Sequence, residues 1–319
     1  MILQGILIAI GFVLLIKGAD WLVEGASTLA KKYKVSDMVI GLTIVAFGTS
    51  TPELVVNSIA SIGSHSDIVY GNIIGSNIVN LFLILGIVGI IYPIRVPSIT
   101  VRNEMPISIL AVGVLYLLSN QILFQQQSQL SRIDGLILLL MFAGFLYYVF
   151  QQMKKDRALR EDVHVHKMPG WKIGLYIFGG LTGLVLGGKL VVDNAVKIAT
   201  VIGVSEKIIG LTIVAIGTSL PELVTSVVAA LKKNSDIALG NIIGSNIFNV
   251  FFILSVSSFI NPVNYNTSFN TDLYLLGIGT LMLFVAMFTG GRRKLDRWEA
   301  AILLAIYLLY TGWLIAKEV

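Results

Sequence analysis

The sequence predicts an all-α integral membrane protein whose ten transmembrane helices form two inverted five-helix repeats. The 319-residue chain is 55% hydrophobic and 13% charged, and its mean hydropathy is +0.85. Apolar stretches of about 20 residues, enough to cross a hydrocarbon core about 30 Å thick, recur along its length. A segment of the first half also recurs in the second half. Composition and stretch length predict the helices, and the recurrence predicts the repeats.

The apolar stretches define the predicted helices in order. They cover residues 2–23, 38–63, 70–92, 103–124, 134–152, 171–200, 207–231, 238–260, 271–289 and 297–316. Each run is continuously apolar, whereas the strands of a transmembrane barrel would be about ten residues long and would alternate. The first stretch lacks the features of a cleavable signal peptide, so we expect it to remain as a helix. With no cysteine, the sequence offers neither a disulfide nor a thiolate ligand.

Basic residues in the loops predict the orientation of the bundle. With the N-terminus outside, sixteen lysines and arginines fall in inside loops and four in outside loops or at the C-terminus. We therefore expect a multi-pass protein of the cell membrane with both termini outside and a cytoplasmic linker at residues 154–169. The basic residues are spread over five loops, as orientation signals are, so we expect lipid and no nucleic acid as a partner. No obligate protein partner is evident.

A duplicated pair of motifs divides the chain into two units. Ile40–Val55 and Ile209–Val224 agree at fourteen of sixteen positions, and Gly71–Asn80 recurs as Gly240–Asn249. Five helices per unit is an odd number, so the second unit enters the membrane from the opposite side. Inverted repeats are typical of secondary transporters, whose ion sites lie at mid-membrane where broken helices meet.

We assign each half of the chain to one repeat. The first repeat covers residues 1–153, with its motif at 40–80, and the second covers 170–319, with its motif at 209–249.

Each motif carries one glutamate in an apolar segment, Glu53 or Glu222. A carboxylate at membrane depth is costly, so it is a candidate functional residue by default. Thr49 lies on the same helix face as Glu53. Pro52 should break the helix and free backbone carbonyls near Ala46. Carboxylate, hydroxyl and carbonyl oxygens together suit a hard cation.

The second motif adds polar side chains from the next helix. Ser76 and Asn80 are four residues apart, and Gly71 and Gly75 permit close helix contact, which would bring Asn80 towards Glu53. The second half repeats this arrangement with Thr218, Ser219, Pro221, Glu222, Gly240, Gly244, Ser245 and Asn249. Symmetry then places the two glutamates face to face. For Asn72, Asn77, Asn241 and Asn246, we favour packing or interhelical hydrogen bonds over coordination.

At these residues the chain resembles the cation/calcium exchanger superfamily, specifically the prokaryotic sodium/calcium exchangers. The resemblance is carried by GTSTPE at Gly48–Glu53 and GTSLPE at Gly217–Glu222, each followed by a GNIIGSN motif. It implies antiport of Na⁺ against Ca²⁺ by alternating access. It implies no cofactor, because the ions are substrates.

The resemblance also implies a cluster of four cation sites between the repeats. Glu53 and Glu222 would be shared ligands, with Asn80 and Asn249 beside them. The remaining ligands would follow the repeat symmetry: backbone carbonyls of Thr49 and Thr218 for calcium, Ala46, Ser50 and Ser76 for one sodium site, and Ala215, Ser219 and Ser245 for its mate. The potassium-dependent branch carries aspartate at one asparagine position, so Asn249 argues against potassium co-transport. The glycine-rich first and sixth helices, near Gly18, Gly25, Gly187 and Gly188, resemble the family's sliding pair.

Three alternatives remain at this stage. A proton/calcium antiporter would use the same glutamates with protons replacing sodium, and a channel would conduct without a counter-ion. An intramembrane enzyme is disfavoured, because no histidine lies in a predicted span and the chain has no HExxH motif and no cysteine.

Overall fold

A computed structural model describes residues 1–122, 128–159, 168–202, 215–289 and 293–318. Within these residues, eight helices are long and apolar enough to cross a membrane, and a bent pair supplies a ninth span. The predicted span at 207–231 begins in the segment 203–214, which lies outside the described residues. Helices are expected at this depth because lipid offers no partners for backbone polar groups, which a helix satisfies internally.

Sixteen α-helices make up the described structure. They are α1 Ile2–Tyr33, α2 Asp37–Ile40, α3 Ala46–Thr49, α4 Thr51–Ile62, α5 Ser66–Ile78, α6 Leu85–Ile91, α7 Ser98–Arg102, α8 Glu104–Ser119, α9 Arg132–Leu159, α10 Gly170–Val201, α11 Ala215–Thr218, α12 Leu220–Leu231, α13 Ser235–Ile247, α14 Leu254–Ile260, α15 Asn270–Ala286 and α16 Arg297–Glu318. Four two-residue strands accompany them: β1 Ile94–Arg95, β2 Gln129–Leu130, β3 Val263–Asn264 and β4 Lys294–Leu295. A short 3₁₀ turn, Thr267–Phe269, precedes α15.

Both proline-containing motifs break their helix. The chain leaves helical geometry at Ser50, with φ −80° and ψ 8°, and the two flanking helical segments are bent by 46°. Ser219 has nearly the same geometry, with φ −89° and ψ 8°. Pro52 and Pro221 then lie in the first turn of α4 and α12, where a missing N–H costs no hydrogen bond. The predicted breaks are confirmed, and they place both glutamates in the first turn of a helix.

Three π-helical turns in the described part of the chain are a feature that the sequence pattern does not predict. One, Gly41–Val45, joins α2 to α3. The others, Val79–Ile84 and Phe248–Ile253, are equivalent in the two halves and contain Asn80 and Asn249. π-Helical turns are rare and are often found at functional sites.

The four strands pair between the two halves. β1 pairs antiparallel with β4, and β2 pairs antiparallel with β3. Equivalent backbone bonds extend both pairs: Val96 N–H donates to the Arg293 carbonyl and Tyr265 N–H to the Ser128 carbonyl, each at 2.8 Å. β1 and β3 are therefore equivalent, as are β4 and β2, in agreement with inverted repeats.

The first and sixth predicted helices, α1 and α10, form an antiparallel pair that we call the long pair. A Cβ atom on Gly18 would lie 2.7 Å from the Gly180 carbonyl oxygen, and one on Gly187 would lie 2.7 Å from that of Gly11. The two backbones therefore touch directly, as small residues permit in membranes. Gly188 does not join this contact, because a Cβ there would lie 3.9 Å from Pro221.

Replacing Gly18 with alanine should destabilise the protein. The added methyl group would lie too close to the α10 backbone, and overpacking of this kind costs about 1–3 kcal/mol. The midpoint of thermal unfolding in detergent should therefore fall. Gly5→Ala is the matched control, because nothing lies within 4 Å of a Cβ at Gly5. Equal midpoints for the two variants would contradict the backbone contact.

Candidate functional site

Glu53 and Glu222 are buried, each with 1% of its surface exposed. Each lies in the first turn of its helix, α4 or α12. The N-terminal end of a helix carries partial positive charge and favours a carboxylate there. The helix breaks therefore provide part of the electrostatic support that a carboxylate needs at this depth.

Serine hydroxyls cross between the halves to reach the carboxylates. Ser50 Oγ donates to Glu222 Oε1 at 2.9 Å, and Ser219 Oγ donates to Glu53 Oε1 at 3.2 Å. Each serine at a helix break therefore contacts the glutamate of the other repeat. These crossed bonds bring both glutamates to the interface between the halves.

A second pair of serines completes the contacts of the carboxylates. Ser76 Oγ lies 3.4 Å from Glu53 Oε1, and Ser245 Oγ lies 3.4 Å from Glu222 Oε1. One oxygen of each carboxylate thus accepts from two serines, one from each repeat. Each carboxylate is therefore bonded by one serine from each half of the chain. The family resemblance instead assigns two serines of the same half to each flanking sodium site.

Four asparagines from the equivalent helices bond across the interface. Asn80 Nδ2 donates to Asn246 Oδ1 at 3.0 Å, and Asn249 Nδ2 donates to Asn77 Oδ1 at 2.9 Å. Asn77 Nδ2 also donates to the Asn246 backbone carbonyl at 3.4 Å. Asn77 and Asn246 thus have the interhelical role that the sequence favours for them. By engaging the NH₂ groups of Asn80 and Asn249, they fix how those amides point.

Asn72 and Asn241, the remaining asparagines of the two motifs, bond to the threonines at the helix breaks. Thr49 Oγ1 donates to Asn241 Oδ1 at 3.0 Å, and Thr218 Oγ1 donates to Asn72 Oδ1 at 3.3 Å. Both contacts again join one repeat to the other. The threonine hydroxyls are engaged in these bonds. The assignment of the threonine backbone carbonyls to a cation stays a prediction.

Asn57 and Ser226 are site neighbours that the sequence reasoning missed. Asn72 Nδ2 donates to Asn57 Oδ1 at 3.2 Å, and Asn241 Nδ2 donates to Ser226 Oγ at 3.0 Å. Both side chains are fully buried. Each lies four residues after its glutamate, hence on the same helix face, and this spacing could have identified them.

Ala46 and Ala215 are equivalent residues at the start of α3 and α11. Ala46 is fully buried, and its carbonyl accepts from the Ser50 backbone N–H at 3.0 Å and lies 3.3 Å from Thr49 Oγ1. A Cβ on Gly244 would lie 2.7 Å from the Ala46 methyl group. The side chain of Ala215 lies outside the described residues, and its role as a ligand stays a prediction.

Four buried oxygen atoms in this network have no hydrogen-bond donor among the described residues. They are Glu53 Oε2, Glu222 Oε2, Asn80 Oδ1 and Asn249 Oδ1. Buried polar atoms are rarely left without a partner. These four come from equivalent positions in the two repeats, so the same pair of acceptors is presented twice.

The chemistry of these four oxygens suits a hard cation. Carboxylate and amide oxygens are the ligands that Na⁺ and Ca²⁺ take in proteins. In the described parts of the chain, no three His, Cys, Asp or Glu side chains cluster as a transition-metal site would require. Two buried carboxylates with neutral oxygens around them are the residue types from which secondary transporters build cation sites in the membrane.

Comparison with known proteins identifies the family of transporters to which the chain belongs. Residues 3–151 and 172–316 match the model of the family described as sodium/calcium exchanger protein. The chain belongs to the sodium/calcium exchanger family, and it is therefore a membrane antiporter and not an enzyme.

Individual relatives match over nearly the whole chain. CaxA of Alkalimonas amylolytica is 38% identical over 318 residues, covering 97% of this chain and 98% of that protein. The sodium/calcium exchanger MaX1 of Methanosarcina acetivorans is 31% identical over 340 residues, with 96% of each covered. A solved structure of the sodium-calcium exchanger NCX_Mj, soaked with Na⁺ and Ca²⁺, is 33% identical with a TM-score of 0.82 over 98% of each chain. The predicted fold of ten helices in inverted repeats is confirmed.

Replacing Asn241 with alanine should destabilise the protein, because Thr49 and Ser226 would each lose a buried partner. Leaving a buried polar group unsatisfied costs about 1–3 kcal/mol. The thermal midpoint should fall below that of Asn261→Ala, which removes an exposed bond to Ser64. If the two variants unfold at the same temperature, the buried network contributes less than its geometry indicates.

Proposed function

We propose that this antiporter exchanges Na⁺ for Ca²⁺ by alternating access, and that the Na⁺ gradient across the cell membrane drives Ca²⁺ extrusion. The observation that carries the proposal is the set of four unpartnered oxygens on Glu53, Glu222, Asn80 and Asn249. A bound cation would give these oxygens the partner that none of the described residues provides.

The charge of the site supports exchange between these two ions. Two carboxylates are neutralised by one Ca²⁺ or by two Na⁺, so either ion can replace the other without leaving two bare carboxylates in the membrane. Because both ions would need Glu53 and Glu222, they compete for the same ligands. Competition of this kind couples the movement of one ion to the movement of the other.

The serines and threonines are proposed as the neutral ligands around this centre. A serine hydroxyl that donates to a carboxylate still has lone pairs for a cation. Ser50, Ser76, Ser219 and Ser245 can therefore serve both partners. Backbone carbonyls of Thr49 and Thr218 are proposed for calcium, and Ala46 and Ala215 for the flanking sodium sites. Pro52 and Pro221 have no N–H to donate to the carbonyls of Gly48 and Gly217, four positions earlier.

Sodium is the proposed counter-ion because relatives covered along their length are named for it. MaX1 is named a sodium/calcium exchanger, and NCX_Mj is described as a sodium-calcium exchanger. The carboxylates could also release Ca²⁺ to protons, so the counter-ion has to be measured.

The long pair is proposed as the moving element. It contacts both helix breaks, because a Cβ on Gly48 would lie 2.4 Å from Leu181 Cδ2 and one on Gly217 would lie 2.3 Å from Val192 Cγ2. Leu181 and Val192 both belong to α10. Movement of this helix past the breaks would therefore change how each break is covered. Glu53 and Glu222 are buried in the described arrangement, as expected of an occluded state.

Exchange of either glutamate for glutamine should strongly reduce transport. Glu53→Gln and Glu222→Gln each remove one negative charge, so a Ca²⁺ ion would no longer be neutralised. We expect sodium-gradient-driven ⁴⁵Ca²⁺ uptake into proteoliposomes to fall at least about tenfold, the cost of losing a charged ligand. Glu104→Gln is the matched control. Glu104 is equally buried, but Tyr148 is its hydrogen-bond donor and it lies outside the site.

The same assay identifies the counter-ion. Uptake driven by an opposed Na⁺ gradient at equal pH supports the proposal. Uptake driven by a pH gradient without Na⁺ would indicate a proton antiporter, and uptake independent of trans ions would indicate a channel. Full activity of either glutamine variant would contradict a shared site.

A crosslink between the long pair and the rest of the bundle should stop exchange but leave ion binding. Lys232 Nζ lies 2.6 Å from Asp20 Oδ1, so Asp20→Cys with Lys232→Cys joins α1 to the end of α12 through a short thiol crosslinker. The chain has no other cysteine. Calcium flux should fall on crosslinking and return on cleavage, while ⁴⁵Ca²⁺ binding in detergent persists.

The control for this crosslink lies within the long pair. Trp21 and Tyr176 have ring centroids 6.1 Å apart, and cysteines at these positions join α1 to α10 without tying either helix to the rest. Exchange should survive this crosslink. If exchange survives both crosslinks, the long pair is not the moving element.

A further inference from the structure

A groove of about 520 Å³ at the start of α8 and the end of α15 has none of the site residues described above in its described lining. Arg102 and Arg293 lie on its polar part, and Phe284, Met287 and Phe288 form an apolar wall. The groove therefore has a positively charged part formed by the two arginines, which we call the mouth, and an apolar part. The parity of the predicted helices places this end on the cytoplasmic side, where the basic loops are expected.

The two arginines have free guanidinium groups. Both side chains are exposed, and within the described residues neither makes an ion pair or a side-chain hydrogen bond. The described lining of the groove contains no acidic residue. Glu104 is close in sequence, but its side chain is buried and accepts from Tyr148, so it does not neutralise Arg102.

The backbone holds Arg293 in place at the groove. Its N–H donates to the Met287 carbonyl at 2.9 Å, and its carbonyl accepts from the Val96 N–H at 2.8 Å. Its φ of 59° lies in the left-handed region, which residues other than glycine seldom adopt. One arginine of the mouth is thus fixed by contacts from both halves of the chain.

The arginine pair is not a requirement of the fold, because the repeat symmetry gives the other end of the molecule the same backbone. The strand register makes Ser128 the equivalent of Arg293. The offset between β1 and β3 likewise makes Thr271 the equivalent of Arg102. Neither equivalent is charged, so the repeat symmetry does not reproduce the arginine pair at the other membrane face.

We propose that this groove binds an anionic phospholipid of the inner leaflet. The phosphate would accept hydrogen bonds from Arg102 and Arg293, whose planar guanidinium groups suit phosphate oxygens. The acyl chain would lie along Phe284 and Phe288. Basic pockets between helices on the cytoplasmic side are suited to anionic headgroups, and a single charged face matches a lipid held in one leaflet. The assignment does not depend on which ions are exchanged.

Native mass spectrometry of the delipidated full chain tests the proposal with added phosphatidylglycerol or phosphatidylcholine. The wild-type protein should retain phosphatidylglycerol in preference. Each arginine near a membrane surface should strengthen binding of an anionic lipid about fivefold. Arg102→Gln with Arg293→Gln should therefore reduce this retention about 30-fold. Arg102→Lys with Arg293→Lys keeps the charge and should retain most of the binding, which also guards against misfolding of the glutamine variant.

The matched control removes two exposed lysines from the same predicted side but outside the groove, as Lys31→Gln with Lys233→Gln. It should bind like the wild type. Equal loss in the control, or no loss in Arg102→Gln with Arg293→Gln, would overturn the proposal. Inorganic phosphate at millimolar concentration should not displace the lipid. If phosphate displaces it fully, the groove is an anion site without a lipid contact, and the assignment to a phospholipid is wrong.

Discussion

The cost of holding two carboxylates inside the membrane is the constraint on which the rest of the site depends. Each glutamate has a helix N-terminus behind it and serine hydroxyls around one of its oxygens. These contacts reduce the cost without removing it, because the second oxygen of each carboxylate finds no donor in the described parts of the chain. A network that satisfied every oxygen would stabilise the empty site and leave a cation nothing to bind.

The duplication supplies each glutamate with hydrogen bonds from the other half of the chain, which neither half could form alone. The serine at each helix break donates to the glutamate of the other half, and the asparagines bond across the same interface. The interhelical bonds are therefore also the contacts that hold the two repeats together. Packing and the proposed ion binding use the same residues, so we expect a substitution in the network to affect the stability of the protein and the shape of the site at once.

The sequence predicts the features that depend on local stereochemistry. Pro52 and Pro221 predict the breaks, and the repeated motifs predict which residues are equivalent. The π-helical turns at Asn80 and Asn249 could not be predicted, because an inserted residue in a turn leaves no mark in the spacing of polar side chains. The crossed serine bonds depend on contacts between residues far apart in the chain. Glycine content alone also does not show which glycines of a helix lie in a contact, since Gly187 touches α1 whereas its neighbour Gly188 faces Pro221.

The strand pairs have a consequence for how the chain is assembled. β1 and β4 are about 200 residues apart, and β2 and β3 are more than 130 apart. During synthesis, the first half must stay in the membrane with β1 and β2 unpaired until most of the second half has been inserted. Contacts between such distant segments are slow to form, because a long loop has to close first. The last helices to leave the ribosome therefore complete the folding of the first.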